Sequence, residues 1–186
     1  GTVVNSGTLA ISKNANLGKA GTNLAINNAT LALTDNVSVD RTISLANSAT
    51  IDTSTFNSSV TGVISGSGQL VKAGSGSLSL QGINNTFNGM VDVQAGSVAL
   101  NNANSLGADT NSVMLANGTS LQTTAAVMAK QSVQITGDIS VNTSGFDSSL
   151  MGVVSGTGNL HKANAGRLAL DGMNTFNGMV DVQAGS

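Results

Sequence analysis

Nine aspartates and one histidine are the residues of this 186-residue chain that could carry acid–base or metal chemistry. The aspartates are dispersed along the sequence, whereas cleavage of a glycosidic bond needs two carboxyl groups brought together in a cleft. His161 is the only histidine, and a metal ion would need two or three further ligands beside it. The absence of cysteine excludes a thiolate metal site. We therefore predict that the chain is not an enzyme and has no catalytic, cofactor-binding or metal site.

The chain repeats itself with a long period. The residues TFNGMVDVQAGS stand identically at Thr86–Ser97 and Thr175–Ser186. Upstream of them, matching residues lie 90 positions apart, and the offset becomes 89 after a one-residue slip near Asn174. Such a pattern is typical of an array of supersecondary units. We predict one continuous solenoid, cut from a longer chain, with a first period at residues 1–89, a second at 90–178 and the start of a third at 179–186.

Composition favours a folded β protein without a nucleic-acid or membrane partner. Gly, Asn, Ser and Thr are abundant and Glu is absent, which disfavours helices. A net charge of −2 provides no basic surface for nucleic acid or anionic lipid. No run of about 18 apolar residues exists that could span a bilayer. We expect an all-β chain with no membrane contact within this segment.

Short strands separated by polar bends predict the architecture. In a segment such as Leu31–Leu33 the outer two side chains point to one face of a strand and the middle one to the other. Three such strands meeting at bends would make one coil of roughly 20–23 residues, with about four coils per 89-residue period and about eight in total. Turns between coils are predicted at Gly66, Gly68, Gly156 and Gly158.

The four phenylalanines follow the same period, because Phe56 and Phe146 occupy equivalent positions of the two copies, as do Phe87 and Phe176. In a stack of coils, identical positions of successive copies are expected to lie directly over one another. We therefore predict that the four rings are structural plugs inside the stack.

Polar residues of the repeat could form the surface of the rod. Asp92 and Asp181 take the outward position of two Val-Asp-Val strands, so stacked copies would make a column of carboxylates able to bind a cation or a partner. Two carboxylates supply few of the six to eight oxygens that Ca²⁺ prefers, and we expect solubilising charges. Neighbouring asparagines could form ladders at a bend, or present amides to a sugar or a protein. The possible surface contact rows are Asn84, Asn85, Asn88, Asp92, Asn174, Asn177 and Asp181.

The motif resembles a known family. It reads Gly-x-Gly-x-Leu-x-Lys, then Gly-x-Leu-x-Leu-x-Gly, then Asn-Thr-Phe-x-Gly-x-Val-x-Val-x-x-Gly, once from Gly66 to Gly96 and once from Gly156 to Gly185. This pattern is similar to the passenger-associated repeat of bacterial autotransporters, the type V secretion family. The resemblance implies a right-handed parallel β-helix that is exported through the outer membrane and displayed outside the bacterial cell.

Three functions remain open from the sequence. The first is a structural and adhesive module of a cell-surface autotransporter, an extracellular rod that mediates adhesion or self-association. Its partners would be copies of itself, or a glycan or protein on a host or neighbouring cell. The second is a ligand-free spacer or extracellular filament subunit. The third is a non-catalytic part of a carbohydrate-active β-helix enzyme.

Overall fold

The structure, a computed structural model, describes residues 1–186 and is a parallel β-solenoid. Each turn of the chain passes three faces, and strands of successive turns pair in parallel. The chain makes about nine turns, one more than the sequence suggested, and its single helix is a 3₁₀ turn at Asn14–Leu17. The predicted all-β solenoid is confirmed. No helix is both long and apolar enough to cross a membrane.

The three faces are numbered here in the order in which the chain visits them. Face 1 carries β1 (Thr2–Val4), the first halves of β3 (Leu24–Leu33) and β5 (Ile43–Asp52), β7 (Ile64–Gly66), β14 (Met128–Ala129), β17 (Ser148–Leu150) and β20 (Leu168–Leu170). Face 2 carries β2 (Thr8–Ile11), the second halves of β3 and β5, β8 (Gln69–Ala73), β10 (Val91–Val93), β12 (Ser112–Leu115), β15 (Ser132–Ile135) and β18 (Val154–Gly156). Face 3 carries β4 (Ser38–Val39), β6 (Ser58–Val60), β9 (Ser77–Leu80), β11 (Ser97–Leu100), β13 (Ser120–Thr123), β16 (Asp138–Asn142), β19 (Asn159–Ala163) and β21 (Val180–Val182).

The register between strands fixes the length of a turn. Leu31, Ile51, Lys72, Val93 and Leu115 lie one above another on face 2, so a turn takes 20 to 22 residues there. Paired strands lie about 4.8 Å apart, so nine turns make a rod of about 43 Å.

Aliphatic side chains fill the inside of the rod. Alternate residues of the strands point inward, as in β9, where Leu78 and Leu80 are buried between half-exposed serines. The resulting core is one cluster of 37 buried residues that extends from Val4 to Leu160. Each layer buries its apolar surface against the layers above and below it, so no turn is stable alone.

The two copies of the motif do not stack on one another. Leu70 lies on face 2 between Ala49 and Val91, whereas its counterpart Leu160 lies on face 3 beside Ile139. An offset of 90 residues is four turns of 20 to 22 residues plus about a third of a turn. The second copy is therefore rotated by one face relative to the first. The expectation that identical positions lie directly over one another is wrong for this reason.

A glycine makes room for the one fully buried aromatic ring. Thr86 N donates a hydrogen bond to Ile64 O (2.9 Å) and Asn88 N donates one to Gly66 O (2.8 Å), so Phe87 lies opposite Gly66 on the next turn. Gly66 closes β7 with φ +105° and contributes no side chain to the interior. The ring of Phe87, which is 0% exposed, occupies the inside of the solenoid at this level.

The other phenylalanines differ in their burial. Phe176 lies opposite Gly156 in the same arrangement and packs against the core, although only partly buried. Phe56 is half-buried and Phe146 is 42% exposed, so this pair does not plug the interior as the sequence suggested. Both lie at corners of the rod, where the chain turns away from the core.

We predict that Gly66→Ala destabilises the solenoid by at least about 3 kcal/mol. A Cβ at residue 66 would collide with the carbonyl oxygen of Leu45, and Gly66 already has a positive φ that other residues rarely adopt. Gly118→Ala is the matched control, because Gly118 has φ +78° but no atom within 4 Å of the place that a Cβ would take. Gly118→Ala should lower the free energy of unfolding by only about 1–2 kcal/mol, the cost of placing a non-glycine residue in the left-handed backbone conformation. Urea unfolding followed by circular dichroism gives both values, and equal losses would contradict the tight stacking at Gly66.

Candidate interaction surface

The surface has three open depressions of about 260 to 310 Å³, each lined mostly by polar residues. One is lined by a column of threonines, Thr8, Thr30 and Thr50, which lie in register on three successive turns. Another contains His161 and Asp138. No group of three or more His, Cys, Asp or Glu side chains could hold a metal ion.

His161 lies between two aspartates on face 3. Its Nδ1 is 3.1 Å from Asp181 Oδ2 on the next turn, and its Nε2 is 3.8 Å from Asp138 Oδ1 on the preceding one. Two hydrogen bonds hold the pKa of Asp181 below its usual value; the bond with His161 has the larger effect and the bond with Gln183 the smaller. Ser140 lies in register below His161, but its hydroxyl makes no hydrogen bond to the ring. The pair therefore lacks the contact of a nucleophile with its base.

The outward side chains of the repeated segment form one line along the turn. We call the four residues Thr86, Asn88, Asp92 and Gln94 the motif row. All are exposed except Asp92, which is half-buried, and Gln94 Nε2 donates a 2.8 Å hydrogen bond to Asp92 Oδ2. The corresponding row of the second copy is Thr175, Asn177, Asp181 and Gln183.

Two of the predicted surface asparagines point the other way. The side chain of Asn85 is buried, accepts a hydrogen bond from Ile64 N (2.8 Å) and donates one to Ser105 O (3.1 Å). It therefore joins the turns on either side of it. Asn174 repeats half of this arrangement, because its Oδ1 accepts a hydrogen bond from Val154 N. Asn84 is exposed, and its side chain makes no hydrogen bond.

Asp92 and Asp181 do not form the expected column of carboxylates. Asp92 lies on face 2 between Val71 and Met114, while Asp181 lies on face 3 next to His161. The rotation of the second copy by one face separates them. The first motif row therefore runs from face 1 to face 2, and the second runs from face 2 to face 3.

Two buried lysines were missed as structural elements by sequence reasoning. Lys72 is fully buried, and its ammonium donates hydrogen bonds to the carbonyls of Ala73 (2.9 Å), Gly74 (2.7 Å) and Ala95 (3.1 Å). Ala95 belongs to the next turn, so the lysine joins two turns. Burial lowers the pKa of Lys72 to about 8, and the charge of Asp52 opposes this shift.

The second copy contains the same cage of carbonyls. Lys162 donates to Ala163 O, Asn164 O and Ala184 O at 2.6 to 3.1 Å, and burial lowers its pKa as well. Asn164 stands where the first copy has Gly74, and both residues have positive φ. This backbone conformation turns the second carbonyl of the cage toward the ammonium. The sequence carried a signal for it, since the lysine has the same parity as the inward leucine two residues before it.

A third buried cation holds the first corner loop. Arg41 is 2% exposed and donates hydrogen bonds to the carbonyls of Lys19 and Gly18 and to the hydroxyl of Thr22. Its Nε lies 3.3 Å from Asp40 Oδ1. The guanidinium therefore satisfies the backbone of a loop that has no strand partner.

We predict that Asn85→Ala lowers the free energy of unfolding by about 2–4 kcal/mol, because it leaves a buried N–H and a buried carbonyl without partners. Asn84→Ala, one residue away on the exposed side, should change it by less than about 0.5 kcal/mol. Urea unfolding of the two variants tests this. Similar effects would mean that both asparagines have the same environment, against the structure.

We also predict that stability rises with pH between about 8 and 10.5. The unfolded chain keeps the proton of Lys72 over this range while the folded chain releases it, so the penalty present below pH 8 is relieved as pH increases. The gain for Lys72 is about 3 kcal/mol. Lys72→Met should remove the part of this rise that Lys72 contributes and leave the part from Lys162, whose pKa burial also lowers. Lys13→Met, at an exposed site, should leave the whole rise in place. A rise that is the same in all three proteins would contradict the buried cage.

Known proteins match this chain at the two copies of the repeated motif. The sequence model of the passenger-associated-transport-repeat family matches residues 70–100 and 160–186. A stretch of 104 residues, 55% of the chain, is 35% identical to the adhesin BmaC autotransporter of Brucella suis biovar 1 (strain 1330), and it spans only 3% of that protein. No solved structure matches significantly. These matches confirm the resemblance seen in the sequence: both copies of the motif are similar to the passenger-associated-transport-repeat.

Proposed function

We propose that the chain is a structural and adhesive module of a cell-surface passenger. The observation that carries the proposal is an uninterrupted rod whose two motif rows point outward and are repeated without change. The adhesin named among its relatives supports this function.

The geometry suits contact along a surface. A stack of turns about 4.8 Å apart satisfies its backbone internally and leaves unpaired strand edges only at its two ends. The rod can therefore be lengthened by adding turns without exposing new edges along its sides. Any partner of the sides must bind to side chains.

A non-enzymatic role agrees with the passenger-repeat family and with the relative's name, adhesin. Passengers of this kind are secreted to the cell surface. We propose the same location for this chain, on the outside of a bacterial cell after passage through the outer membrane.

A ligand-free spacer is the second candidate. The observation in its favour is the absence of Trp and Tyr, which together with Arg supply most binding hot spots of protein interfaces. A spacer would hold another part of the longer protein away from the cell and would bind nothing itself.

Bead aggregation distinguishes the two candidates. Beads coated with the 186-residue chain are scored for clumping with one another and for attachment to epithelial cells and to bacterial cells. Uncoated beads and beads that carry an unrelated β-solenoid are the controls. We expect clumping or attachment above both controls. If coated beads behave as the controls do, the adhesive role is wrong and the spacer is the better description.

A further inference from the structure

Most outward residues that precede the motif row differ between the two copies, whereas the motif row and the methionine that lies within it, Met90 or Met179, are the same in both. Inward residues such as Leu70, Leu78 and Leu80 are the same in both copies, because packing requires them. Of seven outward positions before the motif row, six differ and one, Ala73 in the first copy and Ala163 in the second, is the same: Gln69, Val71, Ser77, Ser79, Gln81 and Ile83 are replaced by Asn159, His161, Arg167, Ala169, Asp171 and Met173. The four residues of the motif row are identical in both copies.

Packing within the chain does not require this identity. The side chains of Thr86 and Asn88 form no hydrogen bond, and neither do those of Thr175 and Asn177. The one internal contact that both copies share is the bond from glutamine to aspartate, 2.8 Å in the first copy and 3.1 Å in the second. That bond fixes the carboxylate and leaves its other oxygen free.

We infer that the motif row is a binding surface for an uncharged, hydroxyl-rich glycan chain. The inference rests on the proposed adhesive function and names its ligand. A carboxylate accepts hydrogen bonds only, and the amide of Asn88 both donates and accepts them, as does the hydroxyl of Thr86. Together they match sugar hydroxyls, which also both donate and accept.

Other ligand classes fit the motif row less well. It contains no Lys or Arg, so a phosphate, a sulfate or an acidic sugar would meet a carboxylate without a compensating cation. It contains no aromatic anchor of the type found at protein interfaces. Strand addition by a peptide is blocked, because β10 is already paired on both sides, with β8 and β12.

The rotation of the copies favours a flexible ligand over a second rod. The first motif row lies across faces 1 and 2 and the second across faces 2 and 3, about 21 Å apart along the axis, at four and a third turns of about 4.8 Å. A second rod lying along face 2 would reach only half of each motif row, Asp92 and Gln94 of the first and Thr175 and Asn177 of the second. A glycan chain can approach either face, or bend around the corner between them.

The two motif rows differ in one respect. Asp181 is also hydrogen-bonded to His161 at 3.1 Å, whereas Asp92 has the apolar Val71 in that position. The carboxylate of the first row is therefore less engaged. At residues 1–8 the corresponding outward positions are Val3 and Asn5, so that segment carries no complete row.

The test uses the 186-residue chain and a fourfold row variant that combines Asn88→Ala, Asp92→Ala, Asn177→Ala and Asp181→Ala. The matched control combines Gln81→Ala, Asn84→Ala, Asp109→Ala and Asp171→Ala, which removes the same number of amides and carboxylates from positions outside the motif row. Circular dichroism and urea midpoints establish that both proteins are folded. The probes are immobilised dextran, mannan and galactan, with alginate as an acidic polysaccharide, and binding is measured by biolayer interferometry.

We expect the unchanged chain to bind at least one neutral polysaccharide, with little binding to alginate. The row variant should bind at least tenfold more weakly and the control within twofold of the unchanged chain. No binding to any neutral polysaccharide, preference for alginate, or equal losses in the two variants would overturn the inference.

Bead aggregation with the same variants separates this inference from the proposed function. If coated beads still clump or attach when the motif row is removed, the adhesive function stands and the glycan surface is wrong. Clumping that requires the motif row but occurs without polysaccharide binding would identify a contact between rods and overturn the inference as well. Beads that neither clump nor attach with the unchanged chain contradict the proposed function itself.

Discussion

The backbone hydrogen bonds between successive turns are the constraint on which the rest of the structure depends. Of 100 backbone hydrogen bonds in the chain, 46 are not bonds within helices or strands but involve turns, loops and strand ends, so the corners are tied together as well as the faces. This ladder sets the spacing of the turns at about 4.8 Å. It also decides where a side chain is allowed: at Gly82 a Cβ would lie 2.6 Å from the carbonyl of Gly62 on the preceding turn.

Carbonyls that turn inward at a corner need donors, and the buried lysines supply them. Lys72 and Lys162 each match three N–H donors with three carbonyls, two from their own turn and one from the next. An ammonium buried without a carboxylate costs stability, and the lowered pKa of Lys72 expresses that cost. The cage nevertheless gives each of these inward carbonyls a donor.

Sequence reasoning could predict the solenoid, the long repeat and the aliphatic interior, because alternation and internal identity are written directly in the chain. It could not predict the rotation of the second copy, since this depends on the remainder when 90 residues are divided by turns of 20 to 22 residues. It also grouped Asn85 with Asn88, although one is buried between turns and the other is exposed. Neighbouring asparagines have the same chemistry in the sequence, and only the register separates a structural hydrogen bond from a free amide.

The rotation of the repeat is the central claim, and distances between pairs of spin labels test it most directly. From Asp92, the outward column of face 2 continues through Met114, Gln134 and Ser155 to Thr175, four turns away or about 19 Å. Labels at Asp92→Cys and Thr175→Cys should therefore be closer than labels at Asp92→Cys and Asp181→Cys, because Asp181 lies on another face. A shorter distance for the pair at Asp92 and Asp181 would mean that the copies stack in line, and would contradict the rotation.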